Sequence, residues 1–155
     1  MKIKLDGVKS LITALNRVEK KVGNQANKLV AGAALRTVAM AKSRLQPRPE
    51  DSRELAMDIG AVRQSINFTH NSSTLSAKVF AGNVTGEHLA AYLEFGTGRH
   101  AAGYVPNLPD PFPRLAMTFY VNGRGQMKQH PYLIPSYLQE GKRLSEKLKG
   151  LKISW

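Results

Sequence analysis

The sequence predicts an α+β fold in which N-terminal helices pack on a small antiparallel β-sheet and a C-terminal helix closes the domain. Apolar residues recur at helical spacing through roughly the first 45 residues and again in roughly the last 20. Between these stretches, apolar and polar residues alternate with the period of a β-strand on both sides of a polar turn. The 155 residues are enough for one hydrophobic core, so we expect a single domain over residues 1–155.

Two amphipathic helices are predicted before residue 47. The first is expected to end at Gly23, because glycine favours helix C-termini. Asn24 is expected to cap the second helix, which ends at Gln46-Pro47 because the residue before a proline is pushed out of the helical region. The apolar positions are Val8, Leu11, Ile12, Leu15, Val18 and Val22 in the first helix, and Leu29, Val30, Ala33, Ala34, Val38, Met40, Ala41 and Leu45 in the second.

A connector and a β-hairpin are predicted next. The segment 47–52 is charged and contains two prolines, which favours a loop. A third strand is expected from Ala116 to Val121, ending at the turn-forming pair Asn122-Gly123. In the hairpin, one strand face is assigned to Val62, Ile66 and Phe68, the turn to residues 70–73, and the return strand to Leu75, Ala77 and Val79.

A long loop and a final helix are predicted in the last third of the chain. Residues 98–114 contain four prolines and two glycines, which disfavour helix and strand, so we expect a long loop that serves as a contact arm. Ser136 and Gln139 have the spacing of a capping box at the start of the C-terminal helix. Its apolar seam is Tyr137, Gly141, Leu144, Leu148 and Leu151.

Positive charge is concentrated at the two ends of the chain. Residues 1–54 hold 12 Lys/Arg against 5 Asp/Glu, residues 55–120 hold 4 against 4, and residues 121–155 hold 7 against 2. The net charge of +12 predicts attraction to polyanions or to acidic partner surfaces. No apolar run approaches the ~20 residues of a membrane-spanning helix, so no membrane partner is expected.

No set of residues predicts catalysis, a metal or a cofactor. The four histidines have no metal-ligand spacing, and the chain contains no cysteine. Glu94 stands between apolar neighbours, but without a positioned partner it favours a structural role over that of a general acid. Residues 96–101 match a G-x-G-x-x-A nucleotide pattern, yet Gly103, Pro106 and Pro109 are expected to prevent the helix that such a site needs. We therefore predict a protein that is not an enzyme.

Two short motifs carry a resemblance to a known family. The first is Tyr92-Leu93-Glu94-Phe95-Gly96-Thr97-Gly98 and the second is His130-Pro131-Tyr132-Leu133-Ile134-Pro135, with the segment 60–66 before them. Together with the flanking helices, this arrangement resembles the tail-completion or head-tail joining proteins of tailed bacteriophages, the lambda Z-like class, over roughly residues 1–150. The stretch 99–129 is longer than the usual link of that family.

The resemblance implies a structural protein of the virion neck, a minor tail protein without enzymatic activity that is assembled in the host cytoplasm and forms a homo-oligomeric ring. Its implied partners are further copies of itself, the tail terminator or tail tube, and the head-completion or connector proteins, with transient non-specific contact to phage DNA. The expected partner or ring interface comprises Tyr92, Glu94, Phe95, Gly96, Thr97, Gly98, His130, Pro131, Tyr132 and Pro135. Tyr92, Phe95 and Tyr132 are expected to act as aromatic anchors.

Contacts to a DNA channel or to an acidic partner are predicted for Arg36, Lys42, Arg44, Arg124 and Lys128. An alternative function is that of a small basic protein that binds nucleic acid independently of sequence. A weaker alternative is an RNA-cleaving protein that uses His100 or His130. Measuring the affinity for duplex DNA at increasing salt concentration distinguishes the first alternative from a structural role. An assay for RNA cleavage distinguishes the second alternative from a structural role.

Overall fold

A computed structural model describes residues 8–82, 88–119 and 125–151. Six helices and one hairpin form the described part of the fold, with a single 3₁₀ turn at Val105–Asn107. The α+β class predicted by the sequence is confirmed. The elements are α1 (Val8–Arg44), α2 (Arg53–Ser65), β1 (Asn67–Asn71), β2 (Ser76–Phe80), α3 (Leu89–Phe95), α4 (Gly98–Tyr104), α5 (Phe112–Phe119) and α6 (Leu133–Lys149).

The two predicted N-terminal helices are one continuous helix of 37 residues, about 55 Å long. Gly23 lies in its interior, and its φ angle is not among the positive ones that end a helix. A glycine inside a helix costs only about 1 kcal/mol relative to alanine, so good helix formers on both sides carry the helix through it. The prediction of a break at Gly23 and a cap at Asn24 is therefore wrong.

α2 replaces the first part of the predicted strand. Leu55, Ile59, Val62 and Ile66 follow the 4,3,4 spacing of one helix face, and the last three of these side chains are buried. The Ser52 side chain caps α2 by accepting a hydrogen bond from the Leu55 N–H at 3.2 Å. Assigning Val62 to a strand was wrong because its spacing to Ile66 is helical.

The predicted hairpin is confirmed, but its strands and its turn begin later in the chain than predicted. β1 and β2 pair antiparallel from Asn67 opposite Phe80 to Asn71 opposite Ser76. The Asn71 side chain accepts hydrogen bonds from the N–H groups of Ser73 and Thr74, which shapes the turn. Leu75 belongs to this turn rather than to the return strand, with a φ of 49°.

The predicted loop 98–114 contains α4, the 3₁₀ turn and the start of α5. Its prolines separate these short elements instead of preventing them, as with Pro106 at the start of the 3₁₀ turn. The prediction of a third strand from Ala116 is wrong at its start, because residues 116–119 belong to α5 and Ala116 is on its buried side. Residues 120–124, including the predicted turn Asn122-Gly123, lie outside the described part of the chain.

The core consists of two adjoining clusters. The first joins α1, α2 and α3 to Tyr132, and the second gathers Phe95 and Ile134 with α4, the 3₁₀ turn and α5. α3 contributes to both, with Leu93 in the first and Phe95 in the second. α6 runs antiparallel to α1, since Tyr132 packs near the end of α1 while Glu140, further along α6, bonds to Arg36.

Candidate functional site

The two sequence motifs lie against each other where the core clusters meet. The first motif covers most of α3 and the turn into α4, and the second forms the start of α6. The polar contacts between them place one buried carboxylate, one buried histidine and a glycine turn at a single joint, which we call the motif joint (residues 92–98 and 127–135).

The Glu94 carboxylate holds the N-terminus of α6. Its Oε2 accepts hydrogen bonds from the backbone N–H groups of Tyr132 at 2.9 Å and Leu133 at 2.7 Å, and its Oε1 accepts one from Ile134 at 3.1 Å. The first amides of a helix have no partner within the helix, so an anion is stabilised there. Glu94 therefore provides the cap for α6 from a distant part of the chain.

The predicted capping box at the start of α6 does not form. Ser136 lies inside the helix, where its Oγ donates to the Tyr132 carbonyl at 2.6 Å. Gln139 accepts a hydrogen bond from the Arg44 guanidinium instead of bonding back to the first turn. The cap that was predicted at Ser136 is supplied by Glu94.

Glu94 is nearly inaccessible, with 4% of its surface exposed. Burial raises the pKa of its carboxyl, and the backbone hydrogen bonds from residues 132–134 counteract only part of this rise. Tyr132 is also buried, which raises the pKa of its phenol, and its hydroxyl donates to the Ala90 carbonyl at 3.2 Å. Both Glu94 oxygens accept backbone N–H groups, so this carboxyl has a structural role in holding the start of α6.

A glycine turn links α3 to the segment before α6. The N–H of Gly96 donates to the Tyr92 carbonyl at 2.8 Å, and its φ of 76° lies in the left-handed region that favours glycine. The N–H of Thr97 donates to the Met127 carbonyl at 3.0 Å, while the N–H of Met127 donates to Thr97 Oγ1 at 2.8 Å. This two-way pairing fixes the spacing between the two motifs.

Asp51 and His130 form a buried polar pair behind the joint. The Nε2 of His130 lies 3.0 Å from Asp51 Oδ2, and both side chains are almost completely buried. The same oxygen accepts the backbone N–H of Arg48 at 2.6 Å, and the Arg48 guanidinium donates to the Gln129 carbonyl at 2.9 Å. The segment 47–52 was predicted to be a simple connector. Its prolines and charged residues indicate a loop, but they do not indicate that Asp51 contacts a histidine 79 residues away.

The surroundings of His130 leave it no role as a general base. Its second ring nitrogen, Nδ1, lies 3.2 Å from the Lys128 carbonyl, so both nitrogens face acceptor atoms of the same chain. A general base must reach the proton of a substrate. The geometry therefore does not support RNA cleavage through His130.

The burial of the motif joint corrects the predicted interface. Phe95 is 6% exposed and Tyr132 is 1% exposed, so neither side chain is available as a surface anchor. The prediction that they contact a partner directly is wrong, because they fill the interior of their own chain. The buried members of the predicted interface are Glu94, Phe95, Gly96, Gly98, His130 and Tyr132, and the half-buried members are Tyr92, Thr97, Pro131 and Pro135.

A helix begins within the glycine pattern at residues 96–101, contrary to the prediction. α4 begins at Gly98 and has seven residues. The preceding amides are nevertheless committed within the chain, since Gly96 donates to Tyr92 and Thr97 donates to Met127. The N–H of His100 donates to the Thr97 carbonyl in the same way. A phosphate cradle needs such amides to point at the ligand, so the pattern here is a structural turn.

The predicted basic contacts divide into structural and exposed groups. The Nε of Arg36 donates to Glu140 Oε2 at 2.7 Å, and Glu140 is buried, so Arg36 balances an internal charge. Arg44 and Lys128 are exposed, and Lys42 is half-buried. The Lys42 carbonyl accepts a hydrogen bond from the Arg63 guanidinium at 2.9 Å, which adds Arg63 to this basic surface. Arg124 lies outside the described residues.

Three further features of the described residues concern a cleft, metal ligands and membrane-spanning helices. An open cleft of about 550 Å³ lies between α1 and the tip of the hairpin and is lined mainly by asparagine and serine, with Glu19 and Lys20. Within residues 8–82, 88–119 and 125–151, no group of three or more potential metal-ligating side chains occurs. In the same ranges no helix has the length and apolar character needed to span a bilayer.

Comparisons with protein-family models, with curated proteins and with solved structures gave no match to this chain.

Proposed function

We propose that this chain is a structural subunit of a tailed-phage virion, a tail-completion or neck protein that forms a ring at the head-tail joint and helps connect the tail to the head around the DNA channel. The two motifs that carry the resemblance are also the two halves of the motif joint. Glu94, from the first motif, caps the helix that the second motif begins. This hydrogen bonding is the main support for the proposal, because it gives both motifs a reason to occur together in one chain.

The way in which polar groups are satisfied supports a structural role. The carboxyl of Glu94, the Asp51–His130 pair and the hydroxyl of Thr97 are all engaged by atoms of the same chain. A site for acid–base or nucleophilic chemistry needs such groups to face a cleft. A subunit that must keep its shape while it is pressed between neighbours gains from buried polar contacts that fix one arrangement.

The proposed place in the virion accounts for the charge distribution. Exposed basic side chains at the C-terminal end of α1 and on α6 are suited to sequence-independent contact with the DNA backbone or with acidic neighbours. The proposed partners are other copies of the chain, the tail terminator or tail tube, and the head-completion or connector proteins. Assembly would take place in the host cytoplasm.

Removal of the gene from its phage tests this function. We expect lysates to contain filled heads and finished tails that fail to join, as seen by electron microscopy, and joining to be restored when the wild-type chain is supplied in trans. Two variants supplied in trans give a matched comparison. Glu94→Ala removes the buried carboxylate that caps α6, whereas Glu50→Gln changes an exposed acid of the connector. Only Glu50→Gln should restore joining. Infectious particles formed without the chain would refute the proposal.

Sequence-independent nucleic-acid binding is the second candidate, and the exposed Arg63, bonded to the Lys42 carbonyl, together with the exposed Arg44 at the end of α1 favours it. A protein that neutralises several phosphates loses affinity steeply as salt rises. A gel-shift series with duplex DNA should then show this dependence, and Arg44→Ala with Arg63→Ala should flatten the slope by about 1 for each phosphate that is no longer neutralised. Absence of binding at low salt would exclude this function.

A further inference from the structure

Two arginines on different helices share the buried carboxylate of Glu140. Its Oε2 accepts a hydrogen bond from the Nε of Arg36 on α1 at 2.7 Å, and its Oε1 accepts one from Arg143 on α6 at 3.2 Å. Glu140 is 2% exposed, whereas the Arg143 side chain is 58% exposed. One carboxylate offsets only one of the two guanidinium charges, so this cluster keeps a positive charge at the surface.

Two exposed lysines extend this positive charge in one direction. On α1 the Arg36 guanidinium lies over Gly32, where an added Cβ would be 3.2 Å from its Nη1, and Lys28 follows one turn further toward the N-terminus. On α6, Lys147 lies one turn beyond Arg143. Because α6 runs antiparallel to α1, both lysines lie on the same side of Glu140. We call Lys28, Arg36, Arg143 and Lys147 the basic groove.

The acidic residues of the two helices leave the basic groove with an excess of positive charge. α1 contains Glu19, and α6 contains Glu140 and Glu146. Glu19 lines the cleft beside the hairpin, about 180° around α1 from Lys28. Glu146 projects about 100° around α6 from Lys147. The groove therefore combines four positive charges with the single negative charge of Glu140, which gives a net charge of +3.

The side chains along the groove on α1 are small or polar. Gln25, Gly32 and Ala39 recur every seven residues and so lie along one strip of the helix. Leu35 borders this strip and is 58% exposed, but a single exposed leucine is ordinary on a soluble protein. Protein–protein interfaces have an apolar centre, whereas interfaces with nucleic acid are more polar and much more positively charged. The composition of this surface therefore favours a nucleic acid over a protein partner.

We infer that the basic groove between α1 and α6 binds the phosphate backbone of double-stranded DNA. This inference deepens the proposed function and rests on it for the choice of DNA among nucleic acids, because the proposed neck subunit stands around the DNA channel. Charge supports the contact. Four residues of helix rise about 6 Å, and duplex DNA carries about one negative charge per 1.7 Å of its axis, so this length spans about three or four phosphates. The net charge of the groove is of the same size.

The cations of the groove suit phosphate groups in two ways. Glu140 holds one nitrogen of the Arg143 guanidinium, and the exposed remainder of this planar fork matches the geometry of a phosphate. Lys28 and Lys147 add flexible point charges beside it. Contacts of this kind carry no sequence information, as a protein around a whole genome requires. Arg44 and Arg63 lie by the C-terminal end of α1, outside the groove.

Removing two charges from the groove tests the contact. The double variant Lys28→Gln with Lys147→Gln keeps residues of good helix propensity at exposed sites, and circular dichroism checks that it is folded. Fluorescence anisotropy with a short duplex gives the affinity at increasing salt, and the slope of log affinity against log salt should fall by about 2. The matched control Arg53→Gln with Lys78→Gln removes the same charge from α2 and β2 and should keep the wild-type slope. Equal losses in both variants would overturn the inference, because only net charge would then attract DNA.

Cleavage from a tethered reagent locates the DNA on the protein surface. The chain has no cysteine of its own, so a single introduced thiol can carry an iron chelate whose hydroxyl radicals cut nearby DNA. Gln25→Cys places the chelate on the strip along the groove. Met57→Cys places it on the exposed side of α2, which packs on the buried face of α1. We expect stronger cleavage from residue 25, and equal or stronger cleavage from residue 57 would overturn the inference.

Polyglutamate of equal total charge distinguishes DNA from an acidic protein surface. The wild-type chain should bind the duplex more tightly at the same salt, because a stiff duplex holds its phosphates in place, whereas a flexible polypeptide loses conformational entropy when it is ordered. Tighter binding of polyglutamate would assign the groove to an acidic protein and overturn the choice of DNA.

The outcomes separate this inference from the proposed function. If the groove variant binds DNA like the wild type while gene removal still leaves heads and tails unjoined, the inference fails and the neck function stands. If the groove binds DNA in a chain that phage assembly does not require, the DNA contact stands and the neck function fails.

Discussion

The Glu94 carboxylate lies 2.9 Å from the backbone nitrogen of Tyr132, 38 residues further along the chain. This hydrogen bond and its two neighbours at Leu133 and Ile134 connect the end of α3 to the start of α6. Most helix caps come from the residue just before the helix, whereas this one spans two motifs. The orientation of α6, and with it the packing of Tyr132 in the core, therefore depends on one buried acid.

Replacing Glu94 should destabilise the fold in proportion to the number of hydrogen bonds removed. Glu94→Gln keeps one acceptor oxygen and turns an N–H group toward a backbone donor, so we expect a loss of about 1–3 kcal/mol in the free energy of unfolding. Glu94→Ala leaves two buried amides and one half-buried amide unsatisfied and creates a cavity, so it should lower the free energy of unfolding by about 3–5 kcal/mol. Urea unfolding followed by circular dichroism measures both. Glu50→Gln, at an exposed acid, should change stability by less than about 0.5 kcal/mol.

Two glycines should respond in opposite directions to alanine. In Gly96→Ala the new Cβ would lie 3.1 Å from the Met127 carbonyl oxygen and the Gln129 nitrogen, at a φ of 76°, so we expect a loss of about 1–3 kcal/mol. In Gly141→Ala, inside α6, the Cβ meets nothing within 4 Å, and the higher helix propensity should stabilise by up to about 1 kcal/mol. Thermal unfolding of the two variants compares them. Equal shifts would contradict the geometry described for the Gly96 turn.

The Arg36–Glu140 pair should shape the acid side of the stability profile. Burial raises the pKa of Glu140, but hydrogen bonds and charges from Arg36 and Arg143 outweigh it and leave the pKa below its ordinary 4.5. A lowered pKa in the folded state contributes stability that is present above the unfolded value and lost as pH falls. Arg36→Gln should therefore lower the free energy of unfolding by about 1–2 kcal/mol near pH 7, a figure that allows for the partial exposure of Arg36. It should also move the acid-induced unfolding transition to higher pH. Unfolding curves between about pH 3 and 7 test this, with the exposed Arg99→Gln as control.

Asp51 and His130 should be coupled energetically. Burial raises the pKa of Asp51, while the Arg48 amide and His130 lower it by a larger amount, so the carboxylate contributes stability that is lost as pH falls below its ordinary range. In a double-mutant cycle with Asp51→Asn and His130→Gln, we expect a coupling energy of about 1–3 kcal/mol. A cycle that pairs His130→Gln with the exposed Asp58→Asn should show none. Additive effects in the first cycle would mean that the 3.0 Å contact contributes nothing to stability.

Local patterns predicted much of the secondary structure and misplaced several boundaries. The alternation of Leu75, Ala77 and Val79 and the polar turn at residues 70–73 predicted the hairpin, because side-chain period and turn chemistry act over a few residues. The periodicity of α6 was visible for the same reason. The predicted break at Gly23 does not occur, since a single glycine is a weak penalty in a helix of 37 residues. The prolines of 98–114 predicted a loop without helices, although proline is tolerated at helix starts.

The candidate site was found by its motifs but misjudged in its exposure. The resemblance drew attention to Glu94, Phe95, His130 and Tyr132, and the structure brings these residues together at the motif joint. Their burial was not readable from the motifs, because aromatic residues are favoured both in cores and at interfaces. Asp51 was missed altogether, since nothing within the connector indicates a partner 79 residues away.

The sequence by itself determined the α+β class, the hairpin, the helical stripes and the basic ends of the chain, because spacing and composition record interactions between near neighbours. Only the tertiary structure decided that Glu94 caps α6, that Asp51 meets His130 and that Arg36 balances Glu140. Each of these contacts joins residues at least 38 positions apart. A buried charge or a buried helix end needs a hydrogen-bonding partner. Which residue becomes that partner depends on how the chain packs and not on the local sequence pattern.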